Sequence, residues 1–248
     1  SIKDGSGYKG SNTQIERNKD LINIIYNKNK KIPSKYAQIE KNYNKIADKG
    51  FNIISSQFTI HYYFKNEMTL RGYLQNLSDN CVKGGYFIGT CYDGNKIFDL
   101  LKGKKEFTMN DSHDNLVFTI KKEYEIDTFE YAETNIKPLF GQKITVEMSS
   151  IGQPITEYLV NFELFKQFMK IYRFKPVSPE LKGIYNGIFN KEDFSSEPGI
   201  GGFGKIIDKL PQLSEKDTLL KKGGPFHKSS KINSKENEKL KILSSMNN

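Results

Sequence analysis

The sequence predicts an α/β protein organised around a parallel βαβ unit that is followed by antiparallel strands. Three observations carry this reading. FNIISSQFTI, residues 51 to 60, is β-branched and aromatic throughout, as expected of an interior parallel strand rather than one with a solvent face. NEMTLRGYLQNLSDN, residues 66 to 80, places Met68, Leu70, Leu74 and Leu77 on one helical face. Lys83, Gly84 and Gly85 break that pattern, and YFIGTCYD, residues 86 to 93, reads as a second buried strand. Strand, helix, Gly-Gly turn and strand make a βαβ unit, whose crossover is expected to be right-handed.

The flanking elements follow from the same rules. Residues 1 to 50 are polar and lysine-rich, with helices expected over 17–31 and 35–50, the second stopped by Gly50. NKIFDLLKG, residues 95 to 103, predicts a short helix. VFTIKKEYEI, KITVEMSS and TEYLVNF alternate as antiparallel strands do. FELFKQFMKIYRF, residues 162 to 174, is an amphipathic helix, and FKPVS is read as the start of a further strand. Beyond Phe194 the pattern dissolves into Gly, Lys and Ser, so 195–248 is expected to be a flexible basic region.

Composition narrows the class. With 248 residues, 36% hydrophobic content, 17 Phe and 14 Tyr, the chain can bury a sizeable core. No run of 18 or more apolar residues occurs, and SIKDGSGYKG lacks the basic-then-apolar pattern of a secretory signal, so an intracellular protein with no membrane partner is expected. Cys81 and Cys91 are too few for a disulfide framework and form no CxxC or Cys/His cluster, so buried thiols and no metal are expected. The net charge of +9 suits a polyanionic partner. Only Arg17, Arg71 and Arg173 among these cations are arginines, so the fork geometry of a dedicated phosphate reader is nearly missing and the charge permits nucleic acid without demonstrating it.

Single motifs add little. GIGGFGK, residues 199 to 205, satisfies GxGxxG, but Ile206 stands where a phosphate loop needs Ser or Thr, and SSEP precedes it instead of a buried strand; a loop is the better account. His113 in NDSHDN and His227 in GPFHKSS occupy polar turn contexts. There is no GxSxG elbow and no cysteine with a histidine partner in sequence. His61 differs, because it closes an apolar strand amid Phe58, Tyr62, Tyr63 and Phe64. A lone histidine in such a place is more often a core residue than a functional one.

Three stretches in a fixed order carry more. QFTIHYYF, then GGYFIGTCYDGNKIFDLL after the helix, then TEYLVNFELF, resemble the mRNA cap guanine-N7 methyltransferase family, especially the capping enzymes of large DNA viruses. The resemblance covers residues 51 to 174. It implies an α/β fold of the class I S-adenosylmethionine-dependent, Rossmann-like methyltransferase type, with an antiparallel insertion. The family's Gly-rich cofactor turn and acidic strand end are not found upstream of FNIISSQF, and the closing aromatic strand would follow LSSMNN. The expectation is therefore that residues 1 to 248 are the C-terminal portion of a single methyltransferase domain, lacking its N-terminal half and last strand, and nearly inactive alone.

Carried over residue by residue, the resemblance assigns Gln57 and Tyr62 to S-adenosylmethionine. It assigns Phe58, His61, Tyr62 and Glu157 to the cap guanine. Where many members have Pro after the GT turn, this chain has Tyr92. The implied partner is the 5′ end of capped mRNA, with triphosphatase and guanylyltransferase domains or a stimulatory subunit as further partners. The implied location is host cytoplasm or virion for a viral member and nucleus for a cellular one.

Chemistry agrees with the assignment. Guanine offers its ring N1–H and exocyclic amine as adjacent donors, which one ionised carboxylate accepts together. Its N7 lone pair is already free, so no general base is needed, and alignment alone can supply roughly 7–11 kcal/mol. Two other classes fit the sequence less well: a non-catalytic RNA-binding module using the lysine surface, and a methyltransferase acting on another substrate.

Overall fold

The computed structural model describes residues 16–26 and 31–177. Helix α1 (Glu16–Ile25) and helix α2 (Ala37–Tyr43), the latter entered through a 3-10 turn at Ser34–Tyr36, precede strand β1 (Phe51–Gln57). A single helical turn, α3 (Ile60–Tyr63), and helix α4 (Glu67–Asn80) lead to strand β2 (Cys81–Thr90). Helix α5 (Gly94–Leu100) then opens a run of strands β3 (Glu106–Asn110), β4 (Leu116–Glu123), β5 (Lys143–Met148) and β6 (Ile155–Tyr158), closed by helix α6 (Phe162–Ile171).

β1 and β2 pair in parallel, with Gln57 beside Thr90 at their carboxyl ends. β3, β4, β5 and β6 form an antiparallel sheet in that order. The α/β class and the parallel unit thus match expectation, but several local readings do not. The second helix stops at Tyr43, well before Gly50, and Lys45 takes a left-handed φ of 65°. Gly84 and Gly85 lie inside β2 and not before it: three extra residues bulge between the Phe51–Cys81 and Ile53–Tyr86 pairs. β3 was not anticipated; its five residues EFTMN are too short for a period to register. Residues 174 to 177 form no strand.

The expectation of a fully buried β1 is also corrected. Successive side chains point to opposite faces. Ile54 and Ser56 face the core with Phe87, whose ring lies 6.4 Å from that of Phe165, whereas Phe51, Ile53, Tyr86 and Ile88 form an exposed row. In α4 the buried stripe is Leu70, Tyr73, Leu74 and Leu77. Met68 is 66% exposed, because it sits in the first turn before the helix meets the core.

Caps hold the elements at their angles. Asn66 accepts from the Thr69 amide and closes a capping box on α4. Asp93 accepts from the amides of Asn95 and Lys96 and so caps the start of α5. Asn161 caps α6 through Leu164 and donates to the Phe129 carbonyl. At the start of α5 Gly94 lies directly on the segment after β6: its amide donates to the Val160 carbonyl, and a Cβ there would lie 2.4 Å from that oxygen. Cys91 is buried and Cys81 partly so, both as free thiols.

The readings for GIGGFGK, His227 and the 195–248 region lie outside the described residues. Among the described residues no helix is long and apolar enough to cross a membrane. Because the Gly94 contact is with backbone, which cannot swing aside, Gly94→Ala is expected to lower stability by roughly 1–3 kcal/mol. Thermal and urea unfolding of the two chains would measure this loss.

Candidate active site

Ligands of α/β folds sit beyond the carboxyl ends of parallel strands. At that rim Gln57 accepts from the Thr90 hydroxyl at 2.8 Å and donates to Ser55 Oγ at 3.0 Å. The strand does not continue through QFTIHYYF. Phe58 adopts φ 50°, a conformation that is unusual for a bulky residue, and its amide donates to the Thr90 carbonyl and hydroxyl. This kink turns the chain from strand into helical turn within two residues. His61 therefore lies on α3 and not at a strand end, which corrects the sequence reading, and the turn sends His61 inward and Tyr62 outward.

The site closes from the other sheet. Along β6 the inward row runs Ile155, Glu157, Leu159, so a carboxyl occupies a position where alternation calls for an apolar side chain. Glu157 is 7% exposed and His61 3%, and His61 Nε2 stands 3.5 Å from Glu157 Oε1. That separation is within reach of an ion pair, yet it is long for a hydrogen bond. Both ring nitrogens of His61 and Oε2 of Glu157 are buried without a partner.

Burial decides the charge states. It lowers His61 to about 4 and raises Glu157 to about 7, so the imidazole is neutral and the carboxyl is poised between acid and carboxylate near neutrality. Burial also raises the phenols of Tyr62 and Tyr92, with the charge of Glu157 as a second cause for both. The Tyr62 ring meets the His61 ring edge-on at 4.2 Å. Tyr92 donates its hydroxyl to Met148 Sδ at 3.5 Å. Perturbed titrating groups converging beyond strand ends mark this region as the candidate site.

Of the residues singled out in the sequence, His61, Tyr62 and Glu157 are brought together, and Gln57 and Phe58 lie on the connected turn. Asp93 caps α5, and Gly94 lies against Val160. His113 lies in an exposed turn, its amide bonded to Asp111, away from this group. Tyr92 and Met148 were not singled out as site residues. Tyr92 was noted only as a departure from a pattern, and nothing in the spacing brings residue 148 beside it. No group of three or more His, Cys, Asp and Glu capable of holding a metal occurs among the described residues.

The α/β frame, with its parallel unit and antiparallel sheet, is consistent with a Rossmann-like methyltransferase fold. The sequence model of the mRNA (guanine-N(7))-methyltransferase domain matches residues 17–197, and the chain belongs to that family. It is 33% identical over 127 residues to the probable mRNA-capping enzyme of Acanthamoeba polyphaga mimivirus, covering 48% of this chain and 10% of that protein. Against the mRNA cap guanine-N(7) methyltransferase of Aspergillus niger it is 30% identical over 146 residues, 53% of this chain and 23% of the relative. The corresponding enzyme of Candida albicans is 28% identical over 165 residues, 62% of this chain and 32% of the relative. The chain thus spans between a tenth and a third of the length of these three relatives. The family consists of S-adenosylmethionine-dependent enzymes whose substrate is capped mRNA.

Glu157 also makes a stability prediction. Its folded pKa is raised from 4.5 to about 7, so its contribution is complete below about pH 4.5 and is lost as pH rises through 7. Glu157→Gln keeps the shape and removes the charge. The variant is expected to gain on the order of 3 kcal/mol at pH 8 and almost nothing at pH 4.5. Thermal melting of both chains across that range would measure the gap.

Proposed function

We propose that the protein carrying this chain transfers a methyl group to N7 of the guanosine cap of mRNA. The observation that carries the proposal is the buried Glu157 carboxyl with an unpartnered oxygen, set beside neutral His61 and walled by Tyr62. Such a carboxylate accepts from guanine N1–H and the exocyclic amine together. Adenine presents an acceptor at the equivalent ring nitrogen and would be turned away. Phe58, 44% exposed, and Tyr62, 42% exposed, offer ring faces on which a purine can lie, a contact worth roughly 1–3 kcal/mol per ring.

S-adenosylmethionine, when bound, supplies an electrophilic sulfonium methyl. Gln57 and Tyr62 are the described residues proposed to hold it. The Gln57 side chain is exposed at the rim and oriented by Thr90 and Ser55, which suits an amide reaching a polar ligand. The residues then position the guanine. Its N7 carries a free lone pair, so no side chain has to take a proton, and neutral His61 acts as a shape and hydrogen-bonding element. Methylation makes the purine cationic, and an ionised Glu157 beside it stabilises the charge as it develops.

The lysine surplus favours a second reading, a non-catalytic RNA-binding module. Titrating salt against RNA affinity separates the two: a steep salt slope with no preference for a capped end favours the module. Capping domains or a stimulatory subunit are proposed as partners in the whole protein, working in host cytoplasm or virion as a viral enzyme or in the nucleus as a cellular one. The 248-residue chain alone is proposed to bind S-adenosylmethionine weakly, and tight binding by calorimetry would contradict this. Glu157→Ala is expected to weaken binding of an unmethylated cap dinucleotide by roughly 10- to 100-fold, the weight of hydrogen bonds to a charged acceptor. Affinity for S-adenosylmethionine should change less than about twofold, since Glu157 belongs to the guanine side. Equal loss of both would reject the assignment.

A further inference from the structure

Thr90, the last residue of β2, stands opposite Gln57 in the parallel ladder, at the carboxyl end of both strands. Its hydroxyl accepts from the Phe58 amide at 3.1 Å and donates to Gln57 Oε1 at 2.8 Å. One proton and two lone pairs allow both bonds at once. The pair of bonds also decides which way the Gln57 amide faces. The hydroxyl proton needs an acceptor, and Oε1 is the atom of the carboxamide that supplies one. Nε2 is thereby turned to Ser55 Oγ, to which it donates at 3.0 Å. An amide nitrogen carries two hydrogens. The second has no partner among the described residues, and Gln57 is exposed at the rim. The side chain thus offers an open N–H outward, while its oxygen is turned back onto β2.

Resting on the reading of Gln57 as a contact of the methyl donor, we propose that Thr90 is a positioning residue for S-adenosylmethionine. Its hydroxyl holds the Gln57 carboxamide with Nε2 outward, so Gln57 meets the ligand as a donor to one of its acceptor atoms. The carboxylate, ribose oxygens and adenine ring nitrogens of S-adenosylmethionine are acceptors of that kind. An untethered glutamine at an exposed strand end samples several rotamers and both orientations of its amide. Fixing it beforehand removes that ordering from the binding step. Without the hydroxyl, the amide is free to turn its oxygen outward and set one acceptor against another.

The bend that carries His61 does not hang on the same hydroxyl. The Phe58 amide is shared between that hydroxyl and the Thr90 carbonyl, the latter at 3.0 Å. Ser56 Oγ and Thr59 Oγ1 are bonded at 2.6 Å, a second brace across the kink. Both survive when the hydroxyl is removed, so a change of one atom separates the methyl-donor side of the site from the guanine side.

Thr90→Val makes that change, replacing the hydroxyl with a methyl group of the same branching. Affinities of the 248-residue chain for S-adenosylmethionine and for an unmethylated cap dinucleotide are measured by NMR titration, which reads weak binding at the Gln57 side-chain amide itself. Thr90→Val is expected to weaken S-adenosylmethionine binding roughly three- to tenfold, the weight of one neutral hydrogen bond, and cap dinucleotide binding less than about twofold. Thr90→Ser returns the hydroxyl and should bring S-adenosylmethionine affinity back to within about twofold of the parent. An equal loss for both ligands would mean that Thr90 only holds the bend, and would overturn the proposal. Parent-like S-adenosylmethionine affinity in Thr90→Val would do the same, as would a Thr90→Ser variant that stays weak. Gln57→Glu keeps the length and exchanges the outward donor for an acceptor. If it binds S-adenosylmethionine as tightly as the parent, or if the parent's Gln57 amide protons do not shift at millimolar ligand, the reading of Gln57 fails and Thr90 falls with it. A weakened Gln57→Glu beside an unaffected Thr90→Val removes Thr90 alone.

Discussion

An imidazole and a carboxyl, 3.5 Å apart and both sheltered from water, are the interaction on which the rest of this structure depends. One hangs from the turn that follows β1 and the other from the last strand of the antiparallel sheet. Water would let both ionise and pair. Burial disfavours each charge separately, so near neutrality the imidazole rests uncharged and the carboxyl is poised between acid and carboxylate.

The neighbouring architecture serves to keep that pair where it is. Phe58 turns β1 abruptly so that His61 faces across the gap, and the turn is tied to β2 through Thr90. Gly94 lets the segment after β2 lie directly on the backbone of Val160, closer than any side chain would allow. Asn161 locks the end of β6 to α6 and to the Phe129 carbonyl. The core beneath is apolar and aromatic, with Phe64, Phe140, Phe165 and Phe168 in mutual ring contact. Close packing of this kind transmits position well, which is what a reaction driven by alignment requires.

Much of this was legible in the sequence, for physical reasons that differ from residue to residue. The βαβ unit and the amphipathic α6 were readable because their periods are long enough to count. The convergence of His61 with Glu157 was reached through three ordered motifs, although the inward alternation of Ile155, Glu157 and Leu159 was itself a signal of a misplaced acid. The kink at Phe58 was not readable, since a left-handed φ at a bulky aromatic is imposed by its bonds to Thr90 and not by local preference. The place of Tyr92 was hidden for a similar reason: its neighbour Met148 is 56 residues away, brought near by sheet register alone. The exposed row on β1 and β2 eluded a composition-based reading because apolar content says nothing about which face is covered.

The kink at Phe58 has one more consequence. Gln57 and His61, proposed for the methyl donor and the base respectively, lie four residues apart on a single short bend. The spacing between two reactants is then set like a ruler cut from one piece, and not like a clamp whose jaws must swing together. Such a ruler leaves little room for slack: mutations that soften the bend would blur the distance between nucleophile and leaving group while both ligands still found their seats.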